Sequence, residues 1–210
     1  AKREEHEAFA AFLDVPMEDV VAFDLLTEPI SAERIMADVD AVLVGGSGAF
    51  GVRDVAPWIQ HFVVALGEIA EAGFPMFCSC FGFQGLALAL GADVQPDSDG
   101  AEVGTYAITV RAEGKADPLF AHLPDTFMAQ QGHKDRALEL PRDSTWLASS
   151  EKCPYQAIRY KDHLVYATQF HPELDGAAQS SRFRNYFELY KGVYGEQRAR
   201  EILEEICPSP

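Results

Sequence analysis

Residues 76–84 read Met-Phe-Cys-Ser-Cys-Phe-Gly-Phe-Gln, a short apolar strand that becomes an apolar helix with no residues left for a loop. A chain making that passage must turn within about one residue, which strains the backbone and lifts one side chain above the end of a sheet. The turn requires a helix lying back against the strand it follows, so alternating strands and helices are expected. The chain upstream agrees. Residues 41–44 (Ala-Val-Leu-Val) make a β-branched strand ahead of a glycine-rich stretch, and residues 57–72 make a helix with Pro57 in its first turn and Gly73 as its stop. Residues 2–12 have helical spacing, 20–23 read as a short strand, and 83–90 as an apolar helix closed by Gly91. Beyond Gly91 the pattern changes to short strands over 105–110, 126–130, 146–149, 156–160 and 164–170, then two closing helices over 180–190 and 196–206. The expected fold is α/β: a mostly parallel central sheet flanked by helices (doubly wound, flavodoxin-like) with a small antiparallel extension, all in a single domain over 1–210. A helix precedes the first strand and Ala1 is not a start methionine, so a core strand is expected upstream of Ala1.

Seventeen Lys and Arg stand against 33 Asp and Glu, a net charge of −16. Such a surface repels phosphate backbones and anionic lipid, which argues against a nucleic-acid or membrane partner. No apolar run approaches the roughly 18 residues of a membrane span, and the charged residues 1–7 do not resemble a secretory signal. The four cysteines lack framework spacing, as reduced thiols in a cytoplasmic setting do.

Chemistry concentrates at three places. At the strand-to-helix junction, Cys80 occupies the nucleophile position of an elbow, flanked two residues away by Cys78 and Gly82. A helix N-terminus beside its sulfur favours a thiolate. Two buried core thiols are the plainer alternative, and a Cys-x-Cys metal site lacks a second ligand pair, so no metal is expected. Far downstream, residues 165–173 end in Gln-Phe-His-Pro-Glu. Pro172 biases His171 to an extended conformation, in which residues two apart share a face, so His171 and Glu173 can point the same way. Glu173 can then fix the tautomer that takes a proton from Cys80, although the segment also reads as a surface His-Pro turn. Third, Val-Gly-Gly-Ser-Gly at 44–48 follows a strand. Backbone N–H groups there, with that of Phe81, can form an oxyanion hole; a plain turn is equally compatible, and the absence of a following Lys-Ser or Lys-Thr excludes a Walker phosphate loop.

Taken in order, these segments resemble the class I, triad-type glutamine amidotransferases, and among them the glutaminase domains of GMP synthases and their stand-alone relatives. The family pattern is a Gly-Gly loop, then Gly-x-Cys-x-Gly-x-Gln, then Gln-Phe-His-Pro-Glu. Here Gly45-Gly46, residues 78–84 and residues 169–173 supply it, and Gln131-Gly132-His133-Lys134-Asp135 resembles a His-Gly-Asp element before the Leu140-Pro141 turn. The resemblance spans about residues 40–174. It implies Cys80 as nucleophile, His171 as base and acid, and Glu173 as orienting carboxylate. Gly46 and Phe81 become oxyanion-hole donors, and Gly45, Gln84, His133, Lys134 and Asp135 hold the substrate. Glutamine is the implied substrate, with no cofactor and with ammonia passed to a separate synthetase. A stand-alone hydrolase of γ-glutamyl amides or peptides, and a non-catalytic binding or regulatory relative, are the alternatives. The chain departs from the pattern in three places: Cys78 stands where glycine is usual, Ser47 where proline is frequent, and His133-Lys134-Asp135 lacks the central glycine.

Other residues suggest support rather than chemistry. Glu102 reads as a fold-supporting carboxylate, Trp58 and Trp146 as packing residues, and Cys153 and Cys207 carry no signal. Phe183, Tyr186, Phe187 and Tyr190, at helical spacing, read as a docking face for the closing helix.

Overall fold

The structure is a computed structural model describing residues 2–28 and 30–209. In chain order the elements are α1 (Lys2–Leu13), α2 (Ala32–Asp38), β1 (Val42–Val44), α3 (Pro57–Glu71), β2 (Met76–Ser79), α4 (Phe81–Ala89), β3 (Val94–Pro96), β4 (Glu102–Val110), α5 (Ala112–Lys115), β5 (Thr126–His133), β6 (Asp135–Ala137), β7 (Ser144–Ser149), β8 (Ala157–Tyr160), β9 (Val165–Thr168), α6 (Gly176–Asn185), α7 (Phe187–Tyr194) and α8 (Glu196–Glu205). The fold is the expected α/β type. Seven strands form one sheet in the order β1-β2-β9-β8-β7-β4-β5, parallel across β1, β2 and β9 and antiparallel from β9 outward, while β3 and β6 make a small antiparallel pair. Among the described residues no helix is long and apolar enough to cross a membrane.

Strand alternation explains the layers. On β2, Met76 and Cys78 face a core shared with Phe62, Leu66 and Ile69 of α3 and Phe83 and Leu86 of α4, while Phe77 packs into the opposite cluster around Ile108, Leu147 and Tyr166. Burial of each large side chain such as Phe83 or Leu86 stabilises the fold by about 1.5–3 kcal/mol. A third cluster, Val103 with Phe183, Ala199 and Ile202, fastens the closing helices onto the sheet. The central strands β2 and β9 are thus covered on both faces, which holds their C-terminal ends rigidly side by side. Both proposed catalytic segments begin there.

Some local expectations are corrected. Residues 20–23 form no strand; Val21 is exposed, and a β-branched run without a neighbouring ladder gains nothing from extending. The single helix expected over 180–190 is two, broken at Tyr186 (φ −107°, ψ 15°), whose ring lies against Gly48. Four elements go unannounced by the simple pattern: α2, capped by the Ser31 hydroxyl on the N–H of Arg34, the short helix α5, and the paired strands β3 and β6.

Candidate active site

β2 ends at Ser79 and α4 begins at Phe81, leaving Cys80 alone as the turn, with φ +51° and ψ −101°. Backbone of this kind costs about 1–3 kcal/mol and persists where surrounding contacts enforce it. They are visible: the Cys80 N–H donates to the Thr168 carbonyl at 2.8 Å, and the Cys80 carbonyl accepts from the Gln84 N–H at 3.0 Å. Gly82 is required by close approach, since a Cβ there would lie 2.7 Å from the Val44 carbonyl oxygen and 2.8 Å from Val44 Cγ1. Gly82→Ala must therefore push α4 off β1. It is expected to destabilise the fold by about 2–4 kcal/mol, read as a lowered thermal midpoint. Cys78, where glycine is usual, meets no such obstacle: it lies in the strand ladder between Val44 and Ala167 and points into the core. Burial pushes the Cys78 thiol up, so it remains a thiol.

His171 follows the end of β9 and is pinned by its N–H to the Gln130 carbonyl at 2.9 Å. Its Nδ1 lies 2.6 Å from Glu173 Oε1, and Cys80 is close enough to the same imidazole for its charge to act on the ring. Nδ1 is taken by Glu173, which leaves Nε2 for the sulfur. Burial alone would pull the imidazole down, but the charges of Glu173 and Cys80 outweigh it and push it up to about 10. Burial likewise works against ionisation of Glu173, yet the neighbouring imidazolium, with Arg182 adding, holds the carboxyl below its ordinary value. The three side chains are nearly sealed, with exposures of 6% for Cys80, 3% for His171 and 9% for Glu173.

The glycine loop reaches the same imidazole. A Cβ on Gly46 would stand 2.7 Å from His171 Cε1 and 3.3 Å from an Arg182 guanidinium nitrogen. The Gly45 carbonyl accepts from the Gly82 N–H at 3.3 Å, tying this loop to the start of α4. The N–H of Phe81, first in α4, has no intrahelical acceptor.

Of the residues expected to hold substrate, Gly45 lies in the glycine loop, while Gln84, His133 and Lys134 gather around Asp135. Gln84 Nε2 donates to the Asp135 carbonyl at 2.9 Å and to Gln169 Oε1 at 3.3 Å. His133 Nδ1 lies 3.1 Å from the same carbonyl and Nε2 3.2 Å from Glu102 Oε2, so both ring nitrogens are occupied and Glu102 does support the fold. Lys134 has an exposed side chain, and its carbonyl accepts from Asp97. What remains unpartnered is Asp135 Oδ1, buried; burial pushes this carboxyl up while Lys134 pulls it down.

Three neighbours were not legible as site residues. Ser79 Oγ donates to Glu173 Oε1 at 3.3 Å, Arg182 stands beside Gly46, and the Tyr186 ring lies 3.2 Å from where a Gly48 Cβ would be. The aromatic cluster serves partly as the docking face expected of it, with Phe183 and Tyr190 stacked at 4.4 Å, and partly as a wall of the site. Alternation on β2 pointed Ser79 away from the core of Cys78; nothing local marked Arg182.

A family model described as glutamine amidotransferase class-I matches residues 19–188. The chain is 30% identical over 180 residues to a glutamine-hydrolyzing GMP synthase subunit of Thermoplasma acidophilum, covering 84% of this chain and 86% of that one. It is 34% identical over 134 residues to the glutamine-hydrolyzing GMP synthase of Thermosipho africanus, covering 64% of this chain but 24% of the relative, so it spans about a quarter of that enzyme. Among solved structures, a glutamine amidotransferase from Thermotoga maritima superposes with a TM-score of 0.64 at 27% identity, covering 80% of this chain and 70% of that one. A structure described as a GMP synthase subunit from Thermoplasma acidophilum superposes with a TM-score of 0.65 at 25% identity, covering 93% and 90%. The chain belongs to the class I glutamine amidotransferases.

Proposed function

We propose that this protein hydrolyses the side-chain amide of glutamine through a γ-glutamyl thioester on Cys80 and supplies the ammonia to a separate synthetase. The observation that carries the reading is the shared imidazole: one ring bonded at Nδ1 to Glu173 at 2.6 Å and within electrostatic reach of a cysteine held at a strained positive φ. In the proposed reaction the Cys80 thiolate attacks the amide carbon, and the N–H groups of Gly46 and Phe81 receive the developing oxyanion. The C–N bond breaks as His171 gives its Nε2 proton to the departing nitrogen, leaving ammonia and the thioester. Water, deprotonated by His171, then attacks the thioester and releases glutamate, returning the proton state to its start. The substrate's α-ammonium is assigned to Asp135, whose buried Oδ1 has no hydrogen-bond partner, with Gln84 and His133 bracing its carbonyl and Gly45 bracing the oxyanion loop.

The raised His171 fixes the sign of a pH effect. The imidazolium is needed as the acid toward ammonia, so kcat is expected to hold into the alkaline range and fall as pH rises through about 10. Glu173→Gln removes the strongest influence raising that ring. Turnover should drop about 10–100-fold and the alkaline limb should move to lower pH; an unmoved limb would remove Glu173 from the orienting role.

The likeness to a GMP synthase subunit that hydrolyses glutamine supports a separate ammonia-accepting partner. The test is glutamine turnover by the purified chain, with glutamate and ammonia formed in equal amounts and the rate rising when a synthetase is added. Equal or faster cleavage of γ-glutamyl peptides, indifferent to any synthetase, would favour the stand-alone hydrolase.

A further inference from the structure

Away from the nucleophile, Glu102 at the start of β4, His133 at the end of β5 and Cys153 between β7 and β8 converge. One ligand atom of each lies within 4.8 Å of the others, and all three residues are buried. Two features separate this cluster from an ordinary hydrogen-bonded core. His133 Nδ1 faces the Asp135 carbonyl at 3.1 Å; a carbonyl only accepts, so Nδ1 carries the proton. In the neutral ring, Nε2 then turns a bare lone pair toward another acceptor, Glu102 Oε2, at 3.2 Å. Two lone pairs that close require a positive charge between them, either a second proton or a metal ion. In addition, Glu102 Oε1 is buried without a hydrogen-bond partner, while Oε2 already accepts from Gln156 Nε2 at 2.5 Å.

We propose that Glu102, His133 and Cys153 form a structural site for a zinc-like divalent transition metal. A thiolate, an imidazole and a carboxylate are the donors such ions select, in contrast to the all-oxygen shells of magnesium and calcium. Tetrahedral bonds of about 2.0–2.3 Å put neighbouring ligand atoms about 3.3–3.7 Å apart. The set therefore closes on an ion through shifts of about 1 Å or less. The Nδ1–H···O=C bond from His133 to Asp135 is the outer contact that orients a metal-binding imidazole. Charge also balances. The metal-free cluster holds a thiol, pushed up to about 12 by burial with the Glu102 charge adding, and one proton shared between His133 and Glu102. As a dication enters, two protons leave, one from the Cys153 sulfur and one from the His133–Glu102 pair, and the net charge of the buried site is unchanged. A water or the second Glu102 oxygen completes four ligands. Bound there, the ion joins β4, β5 and the β7–β8 turn beneath the Asp135 segment.

Cys80 and His171 are themselves a cysteine–histidine pair able to take zinc, so the reporter is the Cys80→Ser protein. After metal stripping, incubation with zinc and gel filtration, it should retain one zinc per chain, undiminished by excess magnesium. Cobalt in its place should give a thiolate-to-metal absorption band in the near ultraviolet. Adding Cys153→Ser should take the zinc from one to none and remove the band while the far-ultraviolet circular dichroism stays the same. Zinc no higher in Cys80→Ser than in the double variant would overturn the site and leave the proton as the occupant. Should the double variant fail to fold, the cobalt spectrum of Cys80→Ser decides alone: without the thiolate band the proposal is wrong.

Discussion

Cys80→Ala will lower kcat for glutamine hydrolysis by at least about 10⁴-fold, with glutamine still bound. No other thiol substitutes for it. Cys78 is buried in the core with its thiol pushed up, Cys153 is likewise buried and raised, and Cys207 sits in the C-terminal segment, with its carbonyl bonded to Thr105 and Gln130. Cys80 alone combines the end of a strand, the start of a helix and the His171 ring. The measurement is steady-state glutamate release by wild type and variant at matched concentrations, with binding followed separately. Turnover within tenfold of wild type would assign the chemistry to another group.

Gly46→Ala comes second, with an expected loss of about 10²–10³-fold in kcat. The added methyl carbon would lie 2.7 Å from His171 Cε1, closer than such atoms approach, and 3.3 Å from an Arg182 guanidinium nitrogen. Either the imidazole rotates away from Glu173 and Cys80, or the loop withdraws the Gly46 N–H from the oxyanion. Both damage the transition state more than the ground state, so kcat should fall with little change in KM. The fold should tolerate it, since this loop lies at the sheet's end rather than in its core. That separates it from Gly82→Ala, where the obstacle is the Val44 backbone itself.

The parts of this architecture readable from the sequence were those whose physics is local. The elbow announced itself because residues 76–84 leave no room for a loop, and α3 announced itself through Pro57 and Gly73. His171 and Glu173 do meet, but through a turn at Pro172 and Glu173 and not through the extended backbone expected there. The failures were non-local. Nothing in residues 20–23 says that no strand lies alongside, and nothing in 180–190 says that Tyr186 will leave the helix to pack on Gly48. The same holds within the site. Ser79 and Arg182 acquire roles only through partners 94 residues away in one case and a glycine loop in the other. Gln84 and His133, expected to face substrate, have polar atoms tied to the Asp135 carbonyl and to Glu102, contacts set by how β4, β5 and α4 converge.

The most direct test uses a glutamine-like electrophile on the native protein, with the adduct located by mass after digestion. A nucleophilic cysteine at the strained turn beside His171 predicts one modification per chain, on Cys80, slowed by excess glutamine and by Glu173→Gln. Modification at Cys78, Cys153 or Cys207 in its place, or none on the native chain, would contradict the assignment.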